Sequence, residues 1–175
     1  TLEELERIEK KKFTSDRLSR VRDVFVFCCY TGYSYSDVAK LAPENVLPDE
    51  QGNLWIRSSR IKTKIQEDVP LLPQAKQLID KYKSDPECLY RNRLLPVLSN
   101  QKYNAYLKEI AVLCNISINL TTHVARHTYA TRCLTLGVPI ETVSKTMGHT
   151  NTRMTSHYAK ITEAKILNEM YPLMR

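Results

Sequence analysis

At 175 residues and 42% apolar composition, the chain can bury one substantial core and has the usual size of a single domain. No run approaches the roughly 18 to 20 consecutive apolar residues of a membrane span and no leader of the secretory type opens it, so a membrane role is excluded and the cytoplasm expected. A formal net charge of +7 makes an acidic partner, most commonly nucleic acid, the first expectation.

The chain opens on Thr1 rather than Met, which reads as a fragment of a longer protein. Leu2 to about Lys12 is expected to form a polar helix. Thr14 or Ser15 then caps a second helix from Asp16 to about Tyr30. Its run Val21, Val24, Phe25, Phe27, Cys28 carries few charges after Asp23, as a buried core helix requires, and Gly32 stops it. Ser36 is expected to cap a short helix, Asp37 to Leu41, ahead of Pro43. Three short strand signals follow, Glu44 to Leu47, Asn53 to Arg57 and Glu67 to Leu71, separated by the turn at Asp49 to Gly52 and the polar stretch Ser58 to Gln66. Helices are then expected over Gln74 to Lys83, Gln101 to Cys114, Thr122 to Leu136, Ile140 to Met147 and Glu163 to Tyr171, the last capped by Thr162. Gly137 and Gly148 suit helix C-caps, and Pro139 a helix first turn. The expected fold is mainly α with a small three-stranded antiparallel β-sheet, one domain over residues 1–175, with 162–175 as its closing helix and tail.

The charge is not spread evenly. From Leu54 to Gln66 there are four cations, Arg57, Arg60, Lys62 and Lys64, and no acid. From Thr121 to Lys160 there are five Lys and Arg and all four histidines against the single acid Glu141, so two distant segments can converge on one anionic ligand. The five cysteines, Cys28, Cys29, Cys88, Cys114 and Cys133, are odd in number and contain no C-x-x-C pair. They read as buried thiols, with neither disulfide nor metal role.

Thr122-His-Val-Ala-Arg-His-Thr-Tyr129 places His123 and Arg126 at i and i+3, on one face near a helix start. Free N–H groups and the positive end of the dipole already favour an anion there. Arg126 adds a fork of donors that fits phosphate oxygens, and His123 adds a group that moves protons near neutral pH. His127 follows at i+4 from His123. The next expected helix ends on Met147-Gly-His149, and Tyr158 stands nine residues beyond His149.

The order H-x-x-R-H, G-H and a tyrosine nine residues on, here His123, Arg126, His127, Gly148, His149 and Tyr158, resembles the box II pattern of the tyrosine recombinases, the phage-type integrase family. Ile61-Lys-Thr-Lys64, followed by Val69-Pro-Leu-Leu72, is similar to the family's β-hairpin with its catalytic lysine, which would be Lys62. Thr31-Gly-Tyr-Ser-Tyr-Ser-Asp-Val38 is similar to its box I. The resemblance runs from about Phe25 to Met170. It implies that Tyr158 attacks a DNA phosphorus to form a 3′-phosphotyrosyl link, with Arg126 stabilising the developing charge. Lys62 would protonate the leaving 5′-oxygen, His123 would take part in proton transfer, His149 would hydrogen-bond a nonbridging oxygen and His127 would support the site from behind. No carboxylate cluster suited to a metal ion lies near these residues, so neither metal nor cofactor is expected, and protein cations take that place.

One position departs from the pattern. Box I of the family places a second phosphate-clamping arginine where this chain has Ser34. Loss of one preorganised transition-state contact costs on the order of 3 kcal/mol, so either the domain is catalytically weak or, the favoured expectation, another cation substitutes, with Arg22 and Arg60 the candidates. The serine version of box I and the stretch Ser99 to Asn104 are similar to integrases of Bacteroides-type conjugative transposons.

Arg57, Lys64, Lys102, Arg132, Lys145 and Arg153 are candidates for contacts to the DNA backbone, which position a duplex without reading its sequence. The resemblance also implies double-stranded DNA as partner and a homotetramer on two duplexes, with the fragment alone monomeric and accessory DNA-bending proteins as further partners, in the bacterial nucleoid. It makes Leu2 to Lys12 a linker to an N-terminal core-binding domain. Ile166, Leu167, Met170 and Tyr171 form an apolar stripe that packs on its own core or docks on a neighbouring subunit. Two other readings stay open. Ile140 to Thr152 loosely resembles a helix-turn-helix, which suits a non-catalytic DNA-binding module, and a type IB topoisomerase uses the same cations and tyrosine to relax supercoils.

Overall fold

A computed structural model of the chain describes residues 1–159 and 169–174. Its helices are α1 (Leu2–Lys10), α2 (Asp16–Thr31), α3 (Tyr35–Val38), α4 (Pro73–Tyr82), α5 (Pro86–Arg91), α6 (Asn100–Leu113), α7 (Thr122–Thr135), α8 (Ile140–Thr146) and α9 (Arg153–Ser156). Strands β1 (Val46–Pro48), β2 (Leu54–Ser59) and β3 (Gln66–Pro70) form one antiparallel sheet in the order β1-β2-β3, as expected.

Helix α2 is the axis of the domain. Every residue from Asp23 to Thr31 is buried, because α1, α4, α6 and α7 pack around it. It stops at Gly32, whose left-handed backbone (φ 76°) returns its N–H to the carbonyl of Cys28 at 2.9 Å. The sheet docks through Ile56 and Val69, paired across β2 and β3 and both solvent-free. A second, smaller core joins α7, α8 and α9 through Tyr129, Ala130, Leu134, Val143 and Met147, with Tyr158 packed against it.

Several local expectations change. The first helix is amphipathic rather than polar throughout. Leu5 and Ile8 are buried in the main core, and Thr1, not a later residue, caps it through a capping box with Glu4. The short helix after Gly32 starts at Tyr35 with Ser34 as its cap, because Ser34 Oγ accepts the Asp37 N–H; Ser36 lies inside it. Residues Pro43–Asn45 form a 3₁₀ turn where a strand was expected, so β1 begins at Val46. Pro139 is the cap of α8, one position before its first turn. Helices α5 and α9 were not anticipated, being 6 and 4 residues long. The expected closing helix from Glu163, with its cap Thr162 and with Ile166 and Leu167, lies mostly outside the described residues. Met170 and Tyr171, which are described, are about half exposed.

Candidate active site

Helix α7 turns Ala125, Arg126, Tyr129, Ala130 and Leu134 inward, while His123 and His127 are exposed. His123 and Arg126 stand one turn apart at the start of α7 but differ in exposure, the arginine buried and the histidine at the surface. Arg126 is 3% exposed and held from three sides. Its Nη1 donates to the Gly32 carbonyl and, at 2.8 Å, to Glu67 Oε1, and its Nη2 donates to the Met147 carbonyl. Those contacts come from the end of α2, from β3 and from the end of α8. They leave Nε–H and one Nη2 hydrogen without a partner among the described residues, an edge shaped for two oxygens of one phosphate.

Glu67 is the acid in this arrangement. It occupies the core-facing parity of β3 with Val69 and is fully buried. Burial outweighs the pull of Arg126 and lifts its carboxyl to about 7, and Oε2 has no hydrogen-bond partner. Gly148 sits against it: a Cβ there would lie 3.4 Å from the Cβ atoms of both Glu67 and Arg60. Thr63 Oγ1 donates to the Gly148 carbonyl at 3.1 Å, so the β2–β3 hairpin is tied to the turn that carries His149. Lys62 precedes Thr63 in that hairpin loop and is exposed.

Arg60 belongs to the same cluster. Its Nε lies 3.9 Å from Asp37 Oδ2, its side chain is 11% exposed, and its Nε and Nη1 are buried without any hydrogen-bond partner. Burial and the nearby Arg126 disfavour its charge, while Glu67, Asp37 and Tyr158 oppose them. Asp37, 1% exposed, organises this corner, accepting from the Ile61 N–H at 2.8 Å and from the Ser34 hydroxyl. Arg22 is elsewhere. It pairs with Asp23 and donates to the carbonyls of Glu9 and Lys11, tying α1 to α2, and it lies ten residues before Gly32, about 15 Å along the helix.

His149 is 9% exposed, and its Nδ1 lies 2.7 Å from Thr155 Oγ1. Burial, with Arg126 and Arg60 beside it, pushes its pKa down to about 4, so the ring is neutral near pH 7. Tyr158 is half-buried, its ring edge-on to His127 with centroids 5.0 Å apart, and its hydroxyl has no hydrogen-bond partner among the described residues. His127 Nδ1 is in turn 3.1 Å from Thr131 Oγ1. One helix N–H at the start of α7 is taken by Asn104 Oδ1 at 3.3 Å. Lys62 and His123 have no hydrogen-bond or ionic partner among the described residues.

Of the candidates for DNA-backbone contact, Lys64, Lys102, Lys145 and Arg153 are exposed. Arg57 and Arg132 are engaged within the chain: Arg57 pairs with Asp68 at 3.3 Å and stacks on Trp55, and Arg132 lies 4.4 Å over the Tyr30 ring. The cysteines are all free, four of them buried. No helix among the described residues is long and apolar enough to cross a membrane.

The fold has counterparts. The fold matches the XerH site-specific recombinase bound to difH substrate, a post-cleavage complex, with a TM-score of 0.76 at 19% identity, covering 97% of this chain and 50% of that one. It matches the integrase of transposon Tn1549 in complex with transposon right end DNA with a TM-score of 0.72 at 17% identity, covering 99% and 64%. In sequence it is 28% identical over 151 residues to transposase B of transposon Tn554 from Staphylococcus aureus (strain Mu50), covering 79% of this chain. The chain spans only 24% of that relative's length. A family model for the phage integrases matches residues 1–165. The chain belongs to the phage integrase family, the tyrosine recombinases.

Proposed function

We propose that this chain is the catalytic domain of a site-specific DNA recombinase that cuts and rejoins DNA through a 3′-phosphotyrosyl intermediate at Tyr158 and serves the integration and excision of a mobile element. One observation carries the reading: two buried guanidinium groups, Arg126 and Arg60, and the neutral ring of His149 gather near the tyrosine, and both guanidinium groups keep N–H donors without a partner among the described residues. A phosphodiester carries its own negative charge and repels a nucleophile, so such preorganised donors are what its displacement needs.

In this mechanism Tyr158 Oη bonds to phosphorus as the P–O5′ bond breaks. The phenolic proton leaves through His123, and Lys62, carried into the site by the hairpin that Thr63 ties to Gly148, gives a proton to the 5′-oxygen. Arg126 and Arg60 neutralise the nonbridging oxygens, and His149 donates a hydrogen bond to one of them. The phosphotyrosyl ester keeps the bond energy, so a second 5′-hydroxyl reverses the step. Among the described residues no three His, Cys, Asp or Glu side chains gather as a metal site. Metal independence is tested directly by cleavage in EDTA.

Arg60 takes the place of the arginine missing at Ser34. Ser34 and Arg60 both address Asp37, so the acid that accepts from the Ser34 cap of α3 also lies against a guanidinium brought in from the hairpin. This exchange is also the feature that aligns the chain with integrases of Bacteroides-type conjugative transposons. The full protein carries its core-binding domain before α1 and works as a tetramer on two duplexes in the bacterial cytoplasm, with DNA-bending proteins as accessories; Lys64, Lys102, Lys145 and Arg153 contact the backbone.

A nicked suicide substrate tests the reading. Wild type is expected to form a covalent protein–DNA adduct and Tyr158→Phe none; an adduct that persists in Tyr158→Phe overturns it. Exchange between two matched sites, with supercoils left unrelaxed in its absence, separates recombination from topoisomerase action.

A further inference from the structure

Thr155 has no place in the mechanism above, yet it touches both ends of the site. It is solvent-free, its hydroxyl lies 2.7 Å from His149 Nδ1, and its carbonyl accepts the Tyr158 N–H at 3.0 Å. The side chain of one residue thus faces the phosphate-binding histidine while its backbone carries the first turn of the nucleophile's segment. We infer that Thr155 is a positioning residue that holds His149 in the tautomer with its proton on Nε2 and couples that state to the seating of the Tyr158 segment.

Hydrogen-bond accounting gives the direction. Two arrangements of the neutral ring are possible. If the Thr155 hydroxyl donates to Nδ1, the ring proton sits on Nε2, ready for a nonbridging oxygen. If Nδ1–H donates to Oγ1, the hydroxyl proton needs another acceptor, and Oγ1 has no second partner among the described residues. A donor buried without a partner is the costlier state. Only the first arrangement satisfies both Nδ1 and the Thr155 hydroxyl, and only it leaves a donor, Nε2–H, for the anion. His149 then acts as a fixed neutral donor and not as an acid or base. Because Thr155 contacts both His149 Nδ1 and the Tyr158 N–H, donor and nucleophile are set together.

The inference rests on the reading of His149 as a donor to DNA phosphate, and its first test does not depend on cleavage. Long-range ¹⁵N–¹H correlation spectra of the wild-type chain near pH 7 are expected to place the His149 proton on Nε2; a proton on Nδ1 overturns the assignment even if the enzyme cleaves. The second test compares variants on the suicide substrate. Thr155→Val keeps the shape without the hydroxyl and is expected to slow adduct formation at least about tenfold, approaching the 10² to 10³ seen for loss of a preorganised donor, with DNA affinity within about threefold. Thr155→Ser restores the hydroxyl and is expected to stay within about threefold of wild type, as a residue acting through its hydrogen bond should. In a His149→Ala background, Thr155→Val is expected to cost less than about twofold more, because the partner it orients is gone. Losses that multiply in the double variant, or a Thr155→Val that cleaves at the wild-type rate, overturn the inference. If no variant, wild type included, forms an adduct, the proposed function fails while the tautomer result stands.

Discussion

Glu67 and Arg126 form an ion pair that solvent does not reach, Oε1 to Nη1 at 2.8 Å with the two side chains 0% and 3% exposed. Such a pair is poor as a source of stability, but removing one partner strands the other's charge. At pH 8, above the raised titration of Glu67 at about 7 and so with the pair ionised, Glu67→Ala is therefore expected to lower the unfolding free energy by about 3 to 5 kcal/mol. Glu67→Gln keeps an acceptor for Nη1 and should cost less. Urea denaturation of both variants checks this, and equal losses would remove the stranded-charge argument.

Gly32 is pinned from two directions. Its φ of 76° is costly for any residue with a Cβ, and a Cβ there would come within 2.5 Å of the Tyr129 ring. Gly32→Ala is expected to cost about 2 to 5 kcal/mol, the sum of a left-handed backbone and an overpacked contact. Because the Gly32 carbonyl accepts from Arg126, adduct formation should fall too. Gly137 is the control: it shares a positive φ, 83°, but a Cβ would meet nothing within 4 Å. Gly137→Ala should cost only the backbone component, about 1 to 2 kcal/mol, and leave cleavage unchanged.

The two substitute cations make opposite predictions. Arg60→Ala is expected to slow cleavage by about 10² to 10³, as loss of one preorganised phosphate contact does. Arg22→Ala should leave the cleavage rate unchanged and lower stability, since Arg22 binds α1 to α2 through the carbonyls of Glu9 and Lys11. Single-turnover rates on the suicide substrate decide between them; an unimpaired Arg60→Ala sinks the replacement of the box I arginine.

These predictions rest on residues of unequal visibility in the sequence. Arg126, His149 and Tyr158 were legible as candidates because their order and spacing resemble the family pattern; helix-end chemistry alone points to an anion site only at the start of α7. The sheet was legible from its turns. Glu67 was missed because a buried acid in a five-residue strand contradicts the usual burial of charge; its one signal was parity, two residues before the core residue Val69. Asp37 is legible only as the start of a short helix and Thr155 carries no signal of its own, so their contacts appear only once distant segments meet. Arg60 was recognisable as a candidate, but its separation from Arg22 is a tertiary fact. The first helix was misjudged because only Leu5 and Ile8 turn inward, too little apolar sequence to outweigh its charges.

The pH dependence of stability follows from two groups displaced in opposite directions. The Glu67 carboxyl is raised by burial from an ordinary 4.5 to about 7, so the folded state holds a proton the unfolded chain gives up. That contribution is full below pH 4.5 and is lost as pH rises through about 7. His149 is lowered by burial from 6.5 to about 4, so its contribution is full above pH 6.5 and is lost as pH falls through about 4. Between pH 4.5 and 6.5 the two slopes oppose, and wild type should be nearly flat there. Asp49, held at about 2 by Asn53 and Trp55, acts only at lower pH. Each single variant should uncover the other group. In His149→Gln the urea midpoint should fall steadily as pH rises from 4.5 towards 7, and in Glu67→Gln it should rise from pH 4 to 6.5. A flat profile in either variant would show that its remaining group is not displaced in the folded state.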